Sequence, residues 1–95
     1  MILGVKQSHI GDNKDLNDYV DRGTWDVSGS NISNCPIGSD IWVGGILIVE
    51  RGTYQTIEQR FVRTVASSSY YECWVRAKWD TYPWTAWKKI TIEDA

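Results

Sequence analysis

From Gly23 onward the apolar residues of this chain recur at every second position, a period that suits strands and not helices. The clearest case is TYQTIEQRFVRTV. Ile57, Phe61 and Val65 share one face with Gln55 and Gln59, while Glu58, Arg60 and Thr64 take the other. GTWDVSG reads as a short strand ending in a Ser/Gly/Asn loop, with Pro36 stopping further pairing. IWVGGILIVERG is a second strand, apolar on both faces from Ile46 to Val49, which predicts a central place in the sheet. Its Gly44-Gly45 pair predicts a bulge or a close backbone approach. The loop ASSS leads into YYECWVRAKW and predicts a hairpin in which Trp74 and Arg76 point one way, Cys73 and Val75 the other. After a WDTYP turn, WTAWKKITIE is expected as the closing strand.

The front of the chain has a different period. In DNKDLNDYVDRG, Asp12 is a candidate N-cap, acids fill the first turn and Gly23 is a stop signal. One or two helical turns are expected, with Leu16, Tyr19 and Val20 facing inward. Residues 1–14 read as a linker or shaft-connecting segment, and residues 15–95 as a single β domain. The abrupt start is what a C-terminal module of a longer chain would show. The expected fold class is therefore all-β: a small antiparallel sheet or sandwich with a short N-terminal helical segment.

A chain of 95 residues has a thin core, so each large ring matters. Six Trp and five Tyr stand against one Phe and one Met. Trp and Tyr join apolar area to a polar edge, the combination found where proteins bind sugars and other proteins. A net charge of -2 argues against a nucleic-acid partner, although acids gather early (Asp12, Asp15, Asp18, Asp21, Asp26) and Lys78, Lys88 and Lys89 late. No basic start leads into an apolar run, and no stretch approaches the roughly twenty apolar residues that span a bilayer. Neither a secretory signal nor membrane insertion is expected. Cys35 and Cys73 lack metal-type spacing and read as two buried thiols, a single disulfide being the alternative. His9 is the sole histidine, so no metal and no cofactor are expected. Asp40, Glu50, Glu58 and Glu72 offer formal carboxylate pairs, as any domain with twelve acids does. No phosphate loop is present, and a Ser-His-Asp triad would need His9. No catalytic residue and no enzyme activity are expected.

The motifs occur in a telling order. Asp15-Leu16-Asn17 precedes Gly23 with Trp25, then Asn34 with Pro36, then Gly45 with Leu47 and Val49. Trp74 with Arg76, and Trp84 with Trp87, complete the series. This order resembles the pyocin-knob-like domain of phage tail fibres and of contractile bacteriocin fibres, over about Asp15 to Ile90. One departure is that Trp25 and Trp74 stand where that family more often has Tyr or Phe. The resemblance implies a β-rich, non-catalytic knob on a homotrimeric fibre that adsorbs to a bacterial surface glycan or protein. It implies a place in the virion, at the tail-fibre tip, after assembly in the host cytoplasm.

The rings divide on this reading. Trp25, Trp74, Arg76, Trp84 and Trp87 belong to the family pattern and are expected to hold the fold, Arg76 by pairing with an acid or stacking on a ring. Trp84 and Trp87 are three apart, which in a regular strand puts them on opposite faces. Trp79 and Tyr82 flank the WDTYP turn with Asp80 and Thr81, and are the leading glycan-binding candidates: ring faces for sugar C–H groups beside a carboxylate for hydroxyls. Trp42, Tyr54 and Tyr70 are weaker candidates at strand ends, where they can instead cap the core; SNISN is a candidate contact loop. Two rival functions remain open on the sequence. One is a structural module for trimerisation or spacing of a fibre; the other is a cell-wall-targeting module of a lytic enzyme.

Overall fold

The structure is a computed structural model that describes residues 8–64 and 71–90. Six strands form one mixed sheet in chain order: β1 (His9–Ile10), β2 (Gly23–Ser30), β3 (Trp42–Arg51), β4 (Thr56–Thr64), β5 (Tyr71–Trp79) and β6 (Lys88–Ile90). β1 runs parallel to β2, and every other neighbouring pair is antiparallel. The fold is mostly β, as the alternation implies. Tyr70, Val65 and the ASSS loop lie outside the described residues.

Cross-strand register puts one set of side chains on a covered face. Trp25, Leu47, Phe61 and Trp74 are successive partners across β2 to β5, and Gly23, Val49, Gln59 and Arg76 form the next row. Val27, Val43, Leu47, Val49, Ile57 and Phe61 are buried there. No second sheet closes over them among the described residues. Ile10 on β1 is fully buried, and the cover is made by chain connections: Leu16 and Ile32 are fully buried, and Tyr19, Val20, Cys35, Ile37, Trp84 and Trp87 pack against the core. Such a core is built from loops, so it depends on what pins the loops.

The front of the chain differs from the expected helix. A single 3-10 turn, Leu16–Asp18, replaces one or two α-helical turns. Asp15, not Asp12, caps it, accepting a hydrogen bond from the Asn17 N–H at 2.8 Å. The Asp12 carboxylate accepts instead from the Ser30 N–H at 2.8 Å, and Gly23 opens β2. A run of Asp and Asn satisfies its own backbone so well that turns win over a helix. The described part of the expected linker, from Ser8, is stitched to the sheet. Ser8 and Ser30 carbonyls accept from the Asp26 and Asn13 N–H groups at 2.8 and 3.1 Å. Gly29 permits that approach, because a Cβ there would lie 2.8 Å from the Asp12 nitrogen.

β3 is an interior strand, and its register with β2 runs unbroken past the glycines, while its pairing with β4 is registered from Ile46 onward. Gly45 marks a close approach: a Cβ would fall 2.6 Å from the Val62 carbonyl oxygen and 2.9 Å from the Phe61 ring. The two cysteines are free thiols, each half-buried. Burial raises the Cys35 thiol above its ordinary value against the pull of nearby backbone hydrogen bonds, which keeps it protonated at neutral pH. Gly45→Ala is expected to destabilise the fold by about 1–3 kcal/mol, since neither a backbone carbonyl nor a buried ring can easily yield; chemical denaturation reads this directly.

Candidate functional site

The C-terminal indoles meet because the chain does not stay a strand. Residues 83–87 are not β-structure; the strand expected from Trp84 begins, among described residues, at Lys88. Thr85 partners Ala77, donating its N–H to the Ala77 carbonyl at 2.8 Å and accepting from the Ala77 N–H through Oγ1 at 3.1 Å. Three residues later, Lys88 pairs with Val75, only two residues back along β5. One extra residue has been inserted, as in a bulge. That insertion cancels the odd spacing. Trp84 and Trp87 therefore share the covered side of the sheet and do not take opposite faces, which corrects the expectation drawn from strand parity.

Both rings converge on Arg76. Its guanidinium carbon is 4.3 Å from the Trp84 ring centroid and 4.6 Å from that of Trp87. Lys78, two residues on and on the same face, brings its Nζ 5.3 Å from the Trp84 ring. Desolvated cation–ring contacts of this kind are worth about 2 kcal/mol. Arg76 thus stacks on rings, and no carboxylate pairs with it within salt-bridge distance among the described residues.

Beneath the rings, Arg76 is only 6 % exposed. Its Nε donates to the Gln59 side-chain oxygen at 2.9 Å. Gln59, fully buried, donates its Nε2 to the Leu16 and Tyr19 carbonyls at 2.7 and 2.8 Å. A single amide thus ties β5 to the 3-10 turn on the other side of the core. Burial lowers the Arg76 pKa to about 10, with Asp15 opposing that shift from a distance; the group remains a cation at neutral pH. Its Nη2 is buried with no hydrogen-bond partner among the described residues.

The indole on the far side is held as well. Trp87 Nε1 donates to the Asn34 carbonyl at 2.8 Å, and the Asn34 side chain donates to Asp15 Oδ1 at 2.8 Å. Asn34 takes a left-handed backbone, with φ of 59°, which Asn tolerates better than most residues. Between this loop and the 81–87 segment lies an open cleft of about 680 Å³. Arg76, Lys78, Tyr82, Trp84, Trp87 and Asn17 are among the groups that line it.

The WDTYP turn forms the rim. Tyr82 donates its N–H to the Trp79 carbonyl at 3.0 Å, and Asp80 sits at φ 53° with its N–H on the Gln55 carbonyl at 2.8 Å. The Trp79 and Tyr82 rings lie 5.7 Å apart, tilted by 43°. Both are open to water, at 49 % and 62 % exposed. Of the two, Tyr82 lines the cleft; Trp79 and Asp80 do not. Tyr54, also exposed, belongs to the adjoining β3–β4 loop. Trp42 stands at the other end of β3, about 30 Å along the strand from the turn. Trp42 and Tyr54 therefore do not cap the core. Trp25 and Trp74 pack on the covered face; Trp25 meets Tyr19 edge-on at 5.4 Å between centroids.

Sequence reasoning missed Gln59 as the tie, and Asn17, Asn34 and Lys78 as cleft residues. For Gln59 a signal existed: a polar amide at an inward position between Ile57 and Phe61 needs buried partners. A third buried polar group, Glu72, links β4, β5 and β6. It accepts from Arg63 Nε at 3.2 Å and Trp74 Nε1 at 3.3 Å, with Lys89 Nζ at 3.9 Å. Burial alone would raise its carboxyl, but those bonds and charges outweigh burial and hold it below the ordinary 4.5. Comparison with known protein families, with characterised proteins and with solved structures finds no match.

Two outcomes follow from these contacts. Gln59→Ala strands the Arg76 Nε and two carbonyls in the core, and is expected to cost about 3–5 kcal/mol in denaturation. Because Glu72 is more acidic folded than unfolded, its contribution is present above the unfolded value and is lost as pH falls through the folded one. Stability should thus fall below about pH 4.5, and Glu72→Gln should flatten that acid limb in thermal melts taken against pH.

Proposed function

We propose that this chain is a non-catalytic receptor-binding knob of a phage-type tail fibre, attaching to a glycan or protein on a bacterial surface. The observation that carries the reading is the turn after β5: two open aromatic rings, Trp79 and Tyr82, mounted beside a cleft walled by Trp84 and Trp87. Ring faces released from water onto sugar C–H groups, next to neutral and cationic hydrogen-bond donors, suit a saccharide better than an extended peptide. The rings rest on a braced floor, so little ordering is needed on binding. The order of sequence motifs from Asp15 to Ile90 supports the same reading by resemblance.

The knob would work as a homotrimer at the fibre tip in the virion, where several weak sites act together through effective concentration. We assign the protomer contacts to the uncovered face of the sheet. Ile46, Val62, Cys73 and Ile90 are successive cross-strand partners there, a continuous apolar row with Ile46 and Ile90 well exposed. Exposed apolar bands of this kind mark association surfaces. The same row favours the second reading, a module that only closes or spaces the fibre while another domain touches the host.

Adsorption separates the two. Trp79→Ala and Tyr82→Ala are expected to reduce binding of the fibre to susceptible cells at least severalfold while leaving its oligomeric state intact by light scattering. Full adsorption by both variants would remove this turn as the binding site and favour the spacer reading. Val62→Lys is expected to do the reverse, weakening the trimer first.

A further inference from the structure

We infer that the cleft beside Arg76 takes an anionic sugar, its carboxylate or phosphate oxygens meeting the guanidinium on the cleft floor while Tyr82 offers a ring face to the pyranose. This names the ligand class of the adhesion reading and rests on it. Three observations converge. The Arg76 side chain is nine-tenths buried, lines the cleft and holds a nitrogen, Nη2, that nothing among the described residues satisfies. An unpaired buried donor is costly, and a charged one more so, which makes it a standing site for an acceptor.

Charge selects which acceptor. The described cleft lining contains two cations, Arg76 and Lys78, and no Asp or Glu. The carboxylate that acts on Arg76, Asp15, is already engaged by the Asn17 N–H and the Asn34 side chain at 2.8 Å each. The floor is thus a cation short of a counter-ion, in a place where water is partly excluded. An oxyanion forms charge-assisted bonds there that a neutral hydroxyl cannot match.

The third point is shape. The Trp84 and Trp87 rings stack on the guanidinium and Nε is taken by Gln59, so the two terminal nitrogens, which make no hydrogen bond among the described residues, remain as donors. An arginine held in this way recognises planar or trigonal oxyanions with little loss of side-chain freedom. Asn17 on the same wall adds a neutral amide for sugar hydroxyls.

The test is titration of the intact protein, followed by indole fluorescence, with trigalacturonate, galactotriose, galactose 6-phosphate and inorganic phosphate. Binding of at least one charged sugar about tenfold tighter than galactotriose is expected, weakening with added salt. The charged sugar that binds then names the source of the oxyanion. Lys78→Glu should weaken that binding severalfold in a chain that still melts cooperatively, and Arg76→Met should abolish the preference for charge; because Arg76→Met can also unfold the chain, the Lys78 variant decides. Equal affinity for charged and neutral sugars, an unchanged Lys78→Glu titration, or a response to inorganic phosphate alone would overturn the proposal. Adsorption that still depends on Trp79 without any charge preference rejects this inference only. Charged-sugar binding by a fibre whose adsorption ignores the whole cleft rejects the adhesion reading instead.

Discussion

A buried guanidinium held by one amide organises this molecule. Arg76 sits under the sheet cover without a salt-bridge partner among the described residues, and its Nε rests on Gln59. Gln59 in turn carries the Leu16 and Tyr19 carbonyls. Taking a cation out of water costs several kcal/mol, so the surrounding groups must be placed well for the arrangement to persist. The stacking of Trp84 and Trp87 on that cation supplies part of the offset and fixes where the last segment of the chain must lie.

Several local features make sense only as supports of that centre. The extra residue between the Thr85–Ala77 and Lys88–Val75 contacts turns Trp87 inward. Asp15 serves twice, capping the 3-10 turn and anchoring Asn34, whose carbonyl receives the Trp87 indole N–H. The front of the chain, the Asn-rich loop and the C-terminal segment therefore meet over one side chain. With the scaffold braced below, Trp79 and Tyr82 can remain exposed without needing to hold anything together. Stability and display are assigned to different rings within a stretch of nine residues, 79–87.

Much of the sheet was legible from alternation. The inward set Ile57, Gln59 and Phe61 and the shared direction of Trp74 and Arg76 follow directly from a period of two, because nothing interrupts those strands. Elsewhere the period misleads for physical reasons. Asp12 looks like a helix cap, but a segment with this many Asp and Asn residues has side chains competing for its own backbone, and the β2 edge offers Asp12 a better donor in Ser30. Trp84 and Trp87 look divided between faces because parity counting assumes no bulge. A hydroxyl standing in for a backbone group at Thr85 is invisible to hydropathy. The cleft is less legible still, since Asn17, Asn34 and Lys78 come from three separate segments and are joined only by the fold.

The account turns on whether Arg76 holds the C-terminal aromatic segment in place, and indole N–H exchange measured by NMR tests this most directly. In Arg76→Lys, which keeps the charge but loses the flat stacking surface and the Nε bond, the Trp87 Nε1–H should lose its protection while β2–β4 amides retain theirs. Trp87 protection that matches the unmodified chain would contradict the account.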